Sequence, residues 1–233
     1  MESARLQTTQ TQVAVNSFIR SVYNWMSIGL ALTGFVAYFV ASSPTLLHMI
    51  VGNQIIFFGL IIGELGLVFY LSARIQKMQA GTATSLFILY AALNGATLSV
   101  IFMAYTMSSI ASTFFICAAT FTACSIYGMV TKRDLTSLGG FMFMGLIGII
   151  IATVVNLFIQ SSAMSMIISY IGVLVFIGLT AYDTQKLKTM AVTQPAGLDA
   201  AVVRKGAIIG ALSLYLDFIN MFLFMLRIFG GRD

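Results

Sequence analysis

Long, uninterrupted apolar segments dominate the hydrophobic pattern of this chain. A transmembrane helix needs about 20 mostly apolar residues, and seven segments approach or exceed that length. They are residues 23–41, 54–73, 82–106, 110–130, 139–159, 163–182 and 206–229. A transmembrane β-barrel would instead show alternating segments of about ten residues. Because backbone polar groups in lipid must bond to one another, the pattern predicts seven transmembrane helices in an all-α fold.

The residues before the first apolar segment have a different character. Residues 1–16 are polar and lack the charged, apolar and small-residue regions of a cleavable signal peptide. We therefore expect a disordered N-terminal tail over 1–16 and one transmembrane domain over 17–233. The composition agrees, with 59% hydrophobic residues, 8% charged residues and a mean hydropathy of +0.98. A soluble domain carries about 25% charged residues, so a water-soluble globule is excluded.

The basic residues indicate how the predicted bundle is oriented. Ten of the twelve Lys and Arg residues lie before the first span or in the second, fourth and sixth connections between spans. The other two, Arg227 and Arg232, lie at the C-terminal end. Positive charge accumulates on the cytoplasmic side of membrane proteins. The pattern therefore predicts a cytoplasmic N-terminus and a C-terminus on the opposite side.

Two aspartates near the last connection are the most informative polar residues. Asp217 lies well inside the seventh predicted span, and Arg227 is ten residues away, about 15 Å along a helix. Asp183 ends the sixth predicted span, so both carboxyl groups enter the membrane from the same side. Two neighbouring carboxyl groups share one proton because ionising both is costly. The pair is predicted to be a pH sensor, and two independently protonated aspartates are the alternative.

A third acidic residue, Glu64, lies in the middle of the second predicted span. A carboxyl group at that depth is either protonated or lines a hydrated cavity, and it is a functional candidate by default. We therefore place Glu64 on a candidate ion pathway. Gly59 and Gly63 on the same span have the GxxxG spacing that lets helices approach closely, although this is a weak signal. Asp134, in the fourth connection, is predicted to cap a helix or to form a surface ion pair.

Three sequence blocks make the chain resemble a known family. They are Gly-Leu-Thr-Ala-Tyr-Asp-Thr-Gln at 178–185, Leu-Ser-Leu-Tyr-Leu-Asp-Phe-Ile-Asn at 212–220 and Thr-Lys-Arg-Asp-Leu at 131–135. With these blocks the chain resembles the Bax inhibitor-1 family, also called the transmembrane Bax inhibitor motif proteins. The resemblance covers nearly the whole chain beyond the polar tail and is closest to members from the inner membrane of Gram-negative bacteria.

The resemblance implies more than the residue pattern alone. Family members have seven helices with the C-terminal helix at the centre, and bacterial members are linked to a pH-sensitive calcium leak. Their paired aspartates match Asp183 and Asp217, which implies weak calcium transit there, with calcium as the transported ion and no resident metal or cofactor. A basic residue at the end of the second helix can latch the pore, and Arg74 or Lys77 would take that role. The C-terminus would then face the periplasm.

Some bacterial relatives are instead linked to the control of a membrane-bound protease. A non-conducting regulator that binds such a protease, or another membrane protein, is therefore the alternative to a channel. No nucleic-acid partner is expected, because the basic residues are spread over the connections as topology determinants.

Other intramembrane classes fit less well, and we do not expect an enzyme. A retinal protein needs a lysine within the bundle, and no predicted span contains one. A seven-helix receptor has its N-terminus outside. A serine protease needs a base beside its nucleophile, and the only histidine, His48, lies in an outer connection. An intramembrane aspartyl protease shares Tyr182-Asp183, but it needs glycines where this chain has Leu-Tyr-Leu at 214–216.

Overall fold

A computed structural model describes residues 2–193 and 198–231, without the side chains of residues 2–12 and 14. All regular secondary structure in this part of the chain is helical. The elements are α1 (Glu2–Ala41), α2 (Pro44–Val51), α3 (Gln54–Arg74), a 3₁₀ turn (Ile75–Lys77), α4 (Ala80–Leu98), α5 (Ile101–Ala104), α6 (Met107–Val130), α7 (Thr136–Ile159), α8 (Ser162–Thr193) and α9 (Ala200–Phe229).

The described residues contain seven helical stretches that are long and apolar enough to cross a membrane. They are Val15–Ala41, Gln54–Lys77, Ala80–Ala104, Met107–Val130, Thr136–Ile159, Ser162–Thr193 and Ala200–Phe229. Each contains most or all of one segment predicted from the hydrophobic pattern. The third stretch joins α4 to the short α5 across a turn at residues 99–100. The predicted number of helices and the all-α class are confirmed.

The ends of several helices differ from the sequence-based expectation. Helix α1 begins at Glu2, so residues 2–16 are helical where we expected a disordered tail. This segment contains neither proline nor glycine, and extending an existing helix is far easier than nucleating one. Helix α8 continues eleven residues past the predicted end, to Thr193. Its polar last turns still bury Leu187 and Ala191, and this packing is invisible to a hydropathy window.

The chain forms two compact units. The first comprises Met1–Ala104 and Met190–Tyr215, and the second comprises Tyr105–Thr189 and Leu216–Asp233. Helix α9 contributes its first half to one unit and its second half to the other.

Helix α9 is also the most buried of the described spans. Two thirds of its most apolar window is buried (67%), compared with 6% in α7. Apolar residues occur all round the helix, which is the pattern of a largely buried helix. The C-terminal helix therefore has the burial of a central helix, as the resemblance implies.

Candidate functional site

The two aspartates singled out in the sequence lie in the same compact unit, on α8 and α9. Asp217 is 5% exposed, and its Oδ2 atom has no hydrogen-bond partner among the described residues. Asp183 is half-buried, and its carboxyl group interacts electrostatically with that of Asp217. Because α8 continues to Thr193, Asp183 lies about 15 Å from the end of its helix. The structure therefore brings together the two residues predicted to form a pair.

Two glycines position α8 immediately before Asp183. A Cβ atom at Gly128 of α6 would lie less than 3.0 Å from the carbonyl oxygen of Ala181, and one at Gly139 of α7 would lie equally close to the ring of Tyr182. Real Cβ atoms do not approach other atoms so closely. Only glycine at these two positions therefore lets α6 and α7 pack against this turn of α8.

Polar side chains of α8 then fix the connection that leads into α7. The Gln185 amide group donates to the carbonyl oxygen of Arg133 at 2.8 Å and accepts from the backbone N–H of Leu135 at 2.8 Å. One turn later, the Lys188 ammonium group donates to the carbonyl oxygen of Met129 at 2.6 Å. These three bonds hold the end of α6 and its connection to α7 against α8, beside Asp183.

Asp134 lies in that connection and is fully exposed. Its Oδ1 atom accepts from the hydroxyl group of Thr136 at 2.6 Å and from the backbone N–H of Thr136 at 2.9 Å. These bonds hold the pKa of Asp134 below its ordinary value. The N-cap residue of α7 is Leu135, which makes no side-chain cap bond, so Asp134 instead closes a turn one residue before the cap position.

Glu64 belongs to the other compact unit, where it is buried at 8% exposure. The side-chain amide of Asn94 donates to its Oε2 atom at 3.1 Å, and the hydroxyl group of Thr97 donates to its Oε1 atom. Asn94 in turn accepts from the hydroxyl group of Tyr215 at 3.0 Å, which contacts that of Thr33 at 2.7 Å. A continuous polar chain thus links α1, α3, α4 and α9.

The sequence analysis did not identify the partners of Glu64. Asn94 is an amide inside a predicted span, and this is the one signal that could have drawn attention to it. Tyr215 and Thr33 are ordinary residues of membrane helices. Their contact cannot be read from the sequence, because they are 182 residues apart. The latch candidates Arg74 and Lys77 are exposed and belong to the same unit as Glu64. Their role as a latch stays a prediction.

The described residues contain no cluster of three or more His, Cys, Asp or Glu side chains that could hold a metal ion. The carboxyl groups on α8 and α9 are those of the two aspartates. Two carboxyl groups supply at most four oxygen atoms, whereas a stable calcium site takes six to eight.

Comparison with known proteins places the chain in a family. The family model described as "Inhibitor of apoptosis-promoting Bax1" matches residues 15–233. The chain belongs to the Bax inhibitor-1 family. It is 52% identical over 223 residues to the inner membrane protein YbhL of Escherichia coli strain K12, covering 96% of this chain and 95% of that protein.

Relatives in other bacteria match over almost their full length as well. An uncharacterised protein of Rickettsia prowazekii is 46% identical over 92% of this chain and 89% of its own length. One of Borreliella burgdorferi is 43% identical over 97% of both chains. Together with the seven apolar helices, these matches identify a multi-pass inner-membrane protein of the Bax inhibitor-1 family.

Proposed function

We propose that this protein is a pH-sensitive calcium leak channel of the inner membrane, gated by Asp183 and Asp217. The observation that carries the proposal is the buried Asp217 carboxyl group of α9. Its Oδ2 atom lacks a hydrogen-bond partner among the described residues, and the group interacts electrostatically with Asp183. Such a group is costly to keep in a membrane. Carboxyl groups that are retained there commonly line ion or proton pathways.

In this proposal the two aspartates share one proton in one state and lose it in the other. With the proton present, the pair ties α8 to α9. Without it, two charges about 4 Å apart would repel by roughly 4 kcal/mol at an effective dielectric constant of about 20. That energy shifts a balanced equilibrium about a thousandfold. The charged pair must then separate, bind a cation or be neutralised by a basic side chain.

Calcium binding at such a site would be weak, which suits transport. The aspartates offer too few oxygen atoms for a storage site, so backbone carbonyls and water must complete the coordination of the passing ion. Conduction requires binding that is loose enough to release the ion.

We also propose an orientation, with the N-terminus in the cytoplasm and the C-terminus in the periplasm. Its support is the distribution of ten of the twelve basic residues over connections on one side. In that orientation the aspartate pair lies toward the cytoplasmic end of the pathway.

The test is calcium flux into liposomes that contain the purified full-length protein, measured across a pH series. We expect the wild type to conduct with a pH-dependent rate, and Asp217→Asn to lose most of that dependence between about pH 6 and about pH 8. Asp134→Asn is the matched control, because this aspartate is exposed and, within the described part of the chain, bonds only to Thr136. Its pH profile should match that of the wild type.

Two results would contradict the proposal. Absence of flux at every pH would exclude a channel and favour the non-conducting regulator of a membrane protease. Flux whose pH dependence survives in Asp217→Asn would retain the leak but remove the aspartate pair as its sensor.

A further inference from the structure

The polar chain that ends at Glu64 contains more acceptors than hydrogens. The Thr33 hydroxyl group lies 2.8 Å from the carbonyl oxygen of Ala91 and 2.7 Å from the Tyr215 hydroxyl group. The Tyr215 hydroxyl group lies 3.0 Å from Oδ1 of Asn94. Each hydroxyl group has a single hydrogen, so two hydrogens must serve three contacts.

Only two arrangements avoid placing two hydroxyl oxygens at 2.7 Å without a hydrogen between them. In the first, Thr33 donates to Tyr215 and Tyr215 donates to Asn94. In the second, Tyr215 donates to Thr33 and Thr33 donates to Ala91. The carbonyl group of Ala91 lies within α4, so it keeps a helical partner in the first arrangement.

The two arrangements favour opposite charge states of Glu64. In the first, every hydrogen points along Tyr215 and Asn94 toward the Glu64 carboxylate, and the bonds polarise one another. In the second, the two hydroxyl hydrogens point away and Asn94 loses the donor at its Oδ1 atom, although its amide still donates to Oε2 of Glu64. The first arrangement therefore stabilises a charged Glu64, and the second suits a protonated one.

Thr97 has the same choice on the other side of the carboxyl group. Its hydroxyl group donates to Oε1 of Glu64, and the carbonyl oxygen of Leu93 lies 3.3 Å away as a second acceptor. When Glu64 carries a proton on Oε1, that proton can be donated to Thr97 while Thr97 donates to Leu93. Both charge states of Glu64 can therefore be satisfied by rotating hydroxyl groups, without moving a helix.

We propose that Glu64 is a proton-binding site separate from the aspartate pair, and that its protonation reverses the hydrogen bonds donated by the hydroxyl groups of Thr33 and Tyr215. The proton comes from water, and no other group changes its charge. Of the two side chains that donate to the carboxyl group, Thr97 is half-buried and Asn94 is buried. Helix α4 ends one residue later, so non-helical backbone lies next to the site. At membrane depth, such backbone occurs where it is buried in protein or lines a hydrated cavity.

The surroundings of Glu64 contain few competing charges. Tyr90 and Tyr215 are the titratable side chains that interact electrostatically with it. Helix α4 carries no charged residue between Ala80 and Leu98. Other titratable or charged side chains described on the elements of this unit are Arg20, Tyr23, Tyr38, His48, Tyr70, Arg74, Lys77, Arg204 and Lys205.

The proton itself can be observed by infrared spectroscopy of the full-length protein in lipid nanodiscs. A protonated carboxyl group absorbs separately from a carboxylate, so we would follow that band from about pH 4 to about pH 10. The spectra are recorded in an Asp183→Asn/Asp217→Asn background, which removes the bands of the aspartate pair, and again in the wild type. We expect one of the titrating bands to be absent in Glu64→Gln.

The hydrogen-bond chain makes a sharper prediction. Tyr215→Phe removes one oxygen atom and with it the hydrogen that supports the charged state. The pH at which the Glu64 band reaches half of its full intensity should rise by about half a unit to one unit. Tyr90→Phe is the matched control. The Tyr90 ring packs on the Tyr215 ring, with the two centroids 5.7 Å apart, but Tyr90 is not part of the hydrogen-bond chain. Its midpoint should stay close to that of the parent protein.

Either of two results would overturn this inference. One is a Glu64 band that is constantly present or constantly absent over the whole pH range, which would mean a fixed charge state. The other is an equal shift in Tyr215→Phe and Tyr90→Phe, which would mean that the hydroxyl chain does not sense the proton. Neither readout depends on calcium flux, so the inference stands or fails independently of the proposed channel.

Discussion

At the scale of single residues, the proposed sensor makes a prediction about additivity. If Asp183 and Asp217 share one proton, either substitution to asparagine removes it, and the second substitution has nothing further to remove. We therefore expect the pH profile of calcium flux in the double variant to match that of each single variant. Liposome flux measured for the three variants and the wild type provides the comparison. Two separate effects that add in the double variant would show that the aspartates titrate independently.

Asp134 offers a residue-scale prediction about stability. Its pKa is held below the ordinary value by the two bonds from Thr136, so the charged form is favoured in the folded protein. Its contribution is present above the pKa of the unfolded chain and is lost as pH falls through the lower, folded-state pKa. The thermal midpoint of Asp134→Asn should therefore fall below that of the wild type at pH 7, and the gap should narrow in acid. A gap that widens in acid would contradict the assignment.

At the scale of helices, close packing at Gly128 is expected to control the position of Asp183. Gly128→Ala forces a Cβ atom against the backbone of Ala181, so we expect a loss of stability of about 1–3 kcal/mol. Gly140→Ala in α7 is the matched control, because nothing lies within 4 Å of its added Cβ atom. It should be neutral or stabilising by up to about 1 kcal/mol, since alanine favours helix more than glycine does. Thermal unfolding in detergent compares the two variants, and equal effects would contradict the packing argument.

The same scale shows what hydrophobic pattern can and cannot reveal. It located all seven spans, because each needs a long apolar run whatever its neighbours are. It did not show where α8 ends, because polar turns there are stabilised by burial of Leu187 and by the Lys188 bond. The spacing of glycines also failed to indicate where helices pack closely. Gly59 and Gly63 have the GxxxG pattern, yet an added Cβ atom at either meets nothing within 4 Å.

The candidate sites could also be predicted only in part from the sequence. An acidic residue within an apolar segment is conspicuous in the sequence because its cost in lipid is high. Asp183, Asp217 and Glu64 therefore stand out from the amino-acid sequence alone. The partners of Glu64 do not, because Asn94 is 30 residues away from it and Tyr215 a further 121. Such contacts are decided by how helices pack, and hydroxyl and amide residues give little warning of it.

At the scale of the whole molecule, the orientation in the membrane is the remaining prediction. An odd number of spans places the two termini on opposite sides, and the positive charges select the cytoplasm for the N-terminus. We expect a reporter that is active only in the periplasm to give signal after residue 160 and at the C-terminus. It should be silent after residue 133 and at the N-terminus. A reporter that fluoresces only in the cytoplasm should give the reverse pattern at these four positions. Since the fifth connection contains no basic residue and the fourth contains Lys132 and Arg133, the two internal fusions test the charge rule itself. A cytoplasmic C-terminus would mean that one of the seven helices does not cross the membrane, and α1 would be the first candidate, because its stretch Val15–Ala41 has the lowest mean hydropathy of the seven (1.4).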